Sequence, residues 1–174
     1  MLLVLKAHRF SDAKHAGQVR KGSGHPYASH PLAVSYIVAA FKQSKRLEEI
    51  LCACILHDTL EDTDTTFQEL AAEFTPLVAS LVLELTNDPE QVAQLGKLEY
   101  QKKKLVGLSS YGLVIKLADR LHNIRDSPSL SMVEDTVKLM LHLRMKRNLT
   151  KPQTLLLVEI ERECAEQRKR ISHG

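Results

Sequence analysis

Apolar residues recur at three- and four-residue steps along most of the chain, and no alternating apolar–polar run of useful length occurs. Such a period is typical of α-helices that bury one face, so the pattern predicts an all-α fold. The predicted helices cover residues 2–16, 31–42, 46–60, 67–74, 76–86, 91–106, 110–126, 131–148 and 152–170.

The few prolines mark helix beginnings. Pro31 and Pro76 stand where a first helical residue is expected, a position that tolerates proline because its N–H would have no helical partner. Pro89 marks the restart before the predicted helix 91–106. Thr66 followed by Glu69 has the spacing of a capping box, which opens the predicted helix 67–74.

No repeat, low-complexity tract or linker interrupts the sequence, and its longest irregular stretch is the polar, glycine-bearing loop Gly17–Ser29. A chain of 174 residues fits one domain with a real core. We therefore expect a single helical domain over residues 1–174.

Composition narrows the class of partner. The formal net charge is +3 and aromatic residues make up 5%, with no tryptophan. This mild positive excess suits a small anionic ligand, whereas a nucleic-acid surface would need clustered cations and stacking aromatics. The apolar start, residues 1–5, is broken by Lys6 and is too short for a membrane segment. We expect no nucleic-acid or membrane partner and a cytoplasmic protein; homo-oligomer formation is left open.

The cysteines form no metal-binding or disulfide pattern. Cys52 and Cys54 lie in an apolar run, and Cys164 stands alone. Such residues are typical of reduced, buried thiols in an intracellular protein.

The predicted helix 110–126 has two different stripes. Its apolar stripe contains Leu113, Leu117, Leu121 and Ile124. A second stripe at the same helical spacing contains Asp119, His122, Asn123 and Asp126. A generic helix would turn such a polar stripe to solvent, so its function depends on the rest of the chain.

Three other positions give this stripe a chemical context: His30 and the adjacent pair His57-Asp58. Together with Asp119 they offer imidazole nitrogens and carboxylate oxygens, a mixed ligand set that suits a divalent transition metal. Asp58 ends an apolar helix, where an unpaired carboxylate would carry a large desolvation cost that a cation would remove.

A second acidic pair follows one turn later. Glu61 lies four residues after His57, and Asp62 lies four residues after Asp58. This spacing brings both carboxylates to the side of the ligand candidates, where they could accept a proton from water or protonate a leaving oxygen. Each element is weak alone, but their combination is less accidental.

The motifs resemble those of the HD superfamily of metal-dependent phosphohydrolases, and more narrowly the hydrolase domain of RelA/SpoT-type alarmone enzymes. The resemblance runs from about residue 6 to residue 127, and the matching blocks are HAGQVRK at 15–21, GHPYASHPLAV at 24–34, LHDTLEDTDTT at 56–66 and KLADRLHNIRD at 116–126. The length leaves no room for synthetase or regulatory domains, so the chain is similar to the stand-alone small alarmone hydrolases (Mesh1-like).

The resemblance implies an HD-superfamily helical bundle with a metal site at its centre. It also implies Mn²⁺-dependent removal of the 3′-pyrophosphate from the nucleotide (p)ppGpp, which gives GDP or GTP and pyrophosphate. The metal ligands that it implies are His30, His57, Asp58 and Asp119. The catalytic acidic positions are Glu61 and Asp62, and the nucleotide contacts are Arg20, Lys21 and Asn123.

Alternatives remain beside this reading. Arg20 and Lys21 taken alone are better explained as surface charges, and the departures His25 and Ser29 from the family pattern bear on substrate preference. The same site could act on another nucleotide, as an NADPH 2′-phosphatase or a nucleotidase. A non-catalytic nucleotide sensor is disfavoured because all six metal-ligand and acidic positions are present.

Overall fold

The computed structural model describes residues 2–21 and 23–173, and in this part of the chain the regular structure is helical. An isolated antiparallel bridge, Val19 with Pro26, is the β pairing found there. This confirms the predicted all-α class. The helices are α1 Leu2–Lys14, α2 Ser29–Phe41, α3 Leu47–Leu56, α4 Thr59–Asp62, α5 Phe67–Glu73, α6 Pro76–Leu85, α7 Pro89–Leu95, α8 Lys97–Gly107, α9 Ser110–Arg125, α10 Leu130–Lys146 and α11 Lys151–His173.

Two compact units divide the chain between Thr86 and Asn87. The first contains α1 to α6, and the second contains α7 to α11. The single domain over residues 1–174 stays a prediction.

Helix α3 forms the core of the first unit, where it packs against α1, α2 and α6. Its residues Ile50 and Cys52–Leu56 are buried on several sides, because their apolar run leaves no polar face to turn outward. The buried thiols of Cys52 and Cys54 confirm the prediction of core cysteines. Burial raises the pKa of the Cys52 thiol to about 12 and that of Cys54 well above its usual value.

The predicted helix 46–60 is interrupted after Leu56. At this point the Thr59 hydroxyl donates to the Leu56 carbonyl at 2.7 Å, and the His57 ring donates from Nδ1 to the Cys54 carbonyl at 2.8 Å. These side chains occupy carbonyls that helical N–H groups would otherwise bind, so the helix ends and the one-turn helix α4 follows.

The predicted helix 91–106 is also two helices. Gly96 has a φ of +78°, a left-handed conformation that ends α7 and precedes α8. Pro76 is the first residue of α6 as predicted. Pro89 is the first residue of α7, so this helix begins before the predicted start at residue 91, and α2 begins two residues before Pro31. The Thr66 hydroxyl accepts from the Glu69 backbone N–H at 3.1 Å, which confirms the predicted cap.

Helix α9 packs against α11 in the second unit. The predicted apolar stripe of Leu113, Leu117, Leu121 and Ile124 is fully buried. Asp119 on the other stripe is also buried, at 6% exposure, so that stripe is not a solvated face. Among the described residues, no helix combines the length and apolar character needed to cross a membrane.

Candidate active site

The first unit brings two predicted metal ligands, His30 and His57, next to a third, Asp58. Both imidazoles are 1% exposed, and their ring centroids lie 5.3 Å apart. His30 is in the first turn of α2, whereas His57 follows the last residue of α3. The packing of α2 on α3 therefore places the two rings side by side.

Asp58 Oδ2 is the atom on which these groups converge. It lies 3.0 Å from His57 Nε2 and 3.7 Å from His30 Nε2. The Tyr27 hydroxyl donates to the same oxygen at 2.7 Å. One carboxylate oxygen, largely shielded from solvent, is thus surrounded by two imidazoles and a phenol from two chain segments, residues 27–30 and 57–58.

The tautomer of His57 follows from its backbone contact. A carbonyl oxygen can only accept, so the 2.8 Å contact with the Cys54 carbonyl requires a proton on Nδ1. In the neutral imidazole Nε2 then carries its lone pair, and this nitrogen faces the Asp58 carboxylate at 3.0 Å. Two electron-rich atoms at this distance repel each other unless a proton or a cation lies beside them. This donor set fits a divalent cation.

Tyr27 is a residue that the sequence analysis quoted within a motif but gave no role. Its hydroxyl also lies 3.1 Å from Asp62 Oδ2, so one phenol reaches both carboxylates. Burial, followed by the charge of Asp58, raises the pKa of Tyr27, which keeps the hydroxyl protonated and able to donate. Its place in the same motif as His30 could have suggested a role at the site. The contact with Asp58, however, joins residues that are 31 positions apart in the sequence, which local spacing does not reveal.

The loop that carries Tyr27 is held from both sides. The Tyr27 backbone N–H donates to the Gln18 carbonyl at 2.9 Å, and the Gln18 side chain donates to the Asp62 carbonyl at 2.9 Å. His15 is buried, donates from Nδ1 to Gln18 Oε1 at 2.8 Å, and stacks at 4.7 Å on the Tyr27 ring. His15 therefore positions its neighbours Gln18 and Tyr27.

The two predicted catalytic carboxylates, Glu61 and Asp62, lie at the exposed end of α4. Partial burial and the nearby charge of Asp58 raise the pKa of Asp62, while its hydrogen bond with Tyr27 opposes this shift. Asp62 is therefore held beside the cluster of His30, His57 and Asp58, whereas Glu61 is exposed to solvent.

The predicted nucleotide contacts differ in their surroundings. The Arg20 guanidinium lies 5.8 Å above the Tyr27 ring, which ties it to the same loop as the cluster. Lys21 is exposed.

In the second unit, Asn123 donates from its amide to Asp119 Oδ1 at 2.6 Å. Lys116 faces the other oxygen, Oδ2, of that carboxylate at 2.9 Å. Asn123 thus orients the Asp119 carboxylate, a contact that the sequence analysis did not anticipate.

Three comparisons with known proteins agree. The sequence profile of the HD domain matches residues 7–143. A zebrafish protein named guanosine-3′,5′-bis(diphosphate) 3′-pyrophosphohydrolase MESH1 is 35% identical over 125 residues, which cover 71% of this chain and 68% of that protein. A protein of the same enzyme name from Aquifex aeolicus is 36% identical over 131 residues, which cover 70% of this chain but 17% of that protein.

A solved structure supports the same relationship. It is described as a metazoan ortholog of SpoT that hydrolyses ppGpp, and it matches this chain with a TM-score of 0.77 at 29% sequence identity. The match covers 94% of this chain and 96% of the other.

Proposed function

The chain belongs to the HD-domain family, and from this premise we propose that it removes the 3′-pyrophosphate of guanosine alarmones. The proposed reaction converts (p)ppGpp to GDP or GTP and pyrophosphate. Its support is the name shared by the zebrafish and Aquifex relatives, together with the match to a ppGpp-hydrolysing protein. The observation that carries it is the convergence of His30, His57 and Tyr27 on Asp58 Oδ2.

The proposed cofactor is one divalent cation, Mn²⁺. The ligands that we propose for it are His30, His57, Asp58 and Asp119. A mixed set of two imidazoles and two carboxylates suits manganese, and the lone pair of His57 Nε2 beside Asp58 supports a cation there. When bound, such a cation polarises a phosphoryl oxygen and lowers the pKa of a water molecule.

The acidic pair handles the proton in this proposal. Asp62 lies beside the cluster through its contact with Tyr27 and accepts a proton from the attacking water. Glu61, exposed on the same short helix, steers that water and passes the proton taken from it on to the leaving oxygen. Tyr27 holds the Asp58 and Asp62 carboxylates in fixed positions relative to each other.

The remaining predicted residues bind substrate. Arg20 and Lys21 neutralise phosphate charge, and a guanidinium can grip a phosphate with two parallel hydrogen bonds. Asn123 acts by orienting the Asp119 carboxylate and can offer its amide oxygen to the ribose or base.

The decisive experiment loads the protein with Mn²⁺ and supplies ppGpp, pppGpp, NADPH and ordinary nucleotides in parallel. We expect pyrophosphate to be released from the alarmones, exhaustive chelation to stop turnover, and Mn²⁺ to restore it. Orthophosphate released from NADPH with no action on alarmones would reject the proposed substrate. Turnover that survives chelation would reject the metal site.

A matched pair of variants localises the activity. Asp58→Ala should abolish turnover while the helical circular dichroism persists, because the cluster loses its shared oxygen. Asp64→Ala is the control, since this nearby carboxylate is exposed and pairs with Lys14 rather than with the cluster. Equal activity of the two variants would contradict the proposed site.

A further inference from the structure

A second cluster of charged groups surrounds an open recess within the second unit. The recess lies among α8, α9 and α10 and is partly open to solvent. Three cationic side chains line it, Lys104, Lys116 and Arg120, with the amides of Asn87 and Gln101 between them. Three apolar side chains complete the lining.

The cations are fixed by contacts along the wall. Arg120 donates from one Nη2 to Gln101 Oε1 at 3.0 Å, which uses one of its five N–H groups. Lys104 donates to the Tyr100 hydroxyl at 3.3 Å and lies 5.6 Å above that ring. The Lys116 side chain is 16% exposed. Several lysine and arginine side chains seldom line one sheltered recess unless anions are near.

The carboxylates nearby are engaged by donors of their own. Asp88 accepts from Gln91 at 2.6 Å and from two backbone N–H groups in the first turn of α7. The Gln91 hydrogen bond is the largest cause that holds the pKa of Asp88 below its usual range. Asp119 accepts from Asn123 and faces Lys116. Among the described residues that line the recess, three are cations and none is a carboxylate.

We propose that this recess binds a phosphoryl anion, either a phosphate group of the nucleotide substrate or a free phosphate. A guanidinium offers a planar fork that matches phosphate oxygens, and ammonium groups add point charge on the other walls. The amides of Asn87 and Gln101 in the lining supply further donors for an anion bound at this wall. The Lys116 contact with Asp119 places the recess directly beside a proposed metal ligand. Its use as a substrate subsite rests on the proposed function, whereas anion binding itself does not.

Calorimetric titration of the full, Mn²⁺-loaded chain with sulfate tests anion binding without turnover. Lys104→Gln and Arg120→Gln should each weaken sulfate binding about tenfold, the effect of losing roughly one charge-assisted hydrogen bond. Lys103→Gln is the matched control because this lysine is exposed on the same helix and does not line the recess. If Arg120→Gln folds poorly, Lys104→Gln still tests anion binding, because this substitution removes no group that packs one helix against another. Sulfate affinities of both variants equal to that of the control would overturn the proposal.

Steady-state kinetics then distinguish the two sources of phosphate. A substrate subsite predicts that Lys104→Gln raises KM for the alarmone about tenfold with little change in kcat, and that sulfate competes with substrate. A separate phosphate site predicts an unchanged KM and sulfate binding that persists at saturating substrate. Wild-type protein that binds sulfate through Lys104 but hydrolyses no alarmone would refute the proposed function and leave the anion site standing.

Discussion

Replacing Tyr27 by phenylalanine removes one oxygen atom and separates the role of its hydroxyl from that of its ring. The hydroxyl carries a single proton, which it shares between Asp58 Oδ2 at 2.7 Å and Asp62 Oδ2 at 3.1 Å. The shorter contact makes Asp58 the main acceptor. A hydrogen bond to a charged group contributes about 1.5–3 kcal/mol, and the lower end applies because Tyr27 is half-buried.

This magnitude corresponds to about a tenfold loss, at about 1.4 kcal/mol for each factor of ten, and mutation of groups that orient metal ligands has effects of the same order. We expect Tyr27→Phe to bind Mn²⁺ about tenfold more weakly than wild type. Turnover should fall at low Mn²⁺ and recover in part as the concentration rises, because the Asp58 carboxylate is misoriented rather than lost.

The assay combines isothermal titration with Mn²⁺ and initial rates measured across a range of Mn²⁺ concentrations. Tyr36→Phe is the matched control, since Tyr36 is 67% exposed on α2. A Tyr27→Phe protein with the Mn²⁺ affinity and rates of Tyr36→Phe would show that the hydroxyl does not position Asp58. Unaltered metal affinity with a lower rate at every Mn²⁺ concentration would instead assign its effect to Asp62.

Three further predictions concern chemistry and stability. Glu61→Gln should retain Mn²⁺ affinity but lower kcat roughly 10²–10⁴-fold, the usual contribution of a general acid or base. The control Glu134→Gln, on the exposed face of α10, should change neither the affinity nor kcat. A loss of metal affinity in Glu61→Gln would make Glu61 a metal ligand. The three buried cysteines should resist alkylation by iodoacetamide at pH 8, because burial raises the pKa of each thiol. They should react fully once the protein is denatured. Rapid labelling of the folded protein would contradict this burial. Gly96→Ala should lower the free energy of unfolding by about 1–2 kcal/mol, because alanine is strained at a φ of +78° although no atom lies within 4 Å of its Cβ. Gly107→Ala, equally unobstructed but helical, should raise it by about 0.5–1 kcal/mol, so equal effects in denaturant titrations would refute the backbone argument.

The sequence predicted the helical class and the buried apolar stripe of α9 because both depend on local periodicity. The cap at Thr66 and the helix start at Pro76 were also readable, since each acts within one turn of its own position. The motifs around His57 and Asp119 led to the family that the HD-domain match shows.

Other features were decided by groups that are distant in the chain or by the balance of competing hydrogen bonds. The break after Leu56 arises because the side chains of His57 and Thr59 take helix carbonyls, which periodicity does not register. The hydroxyl of Tyr27 reaches Asp58 only when the loop before α2 folds against the end of α3. Likewise, Lys104 and Arg120 share one recess only because α8 and α9 border it together, since side chains from separate helices meet through packing and not through spacing in the sequence.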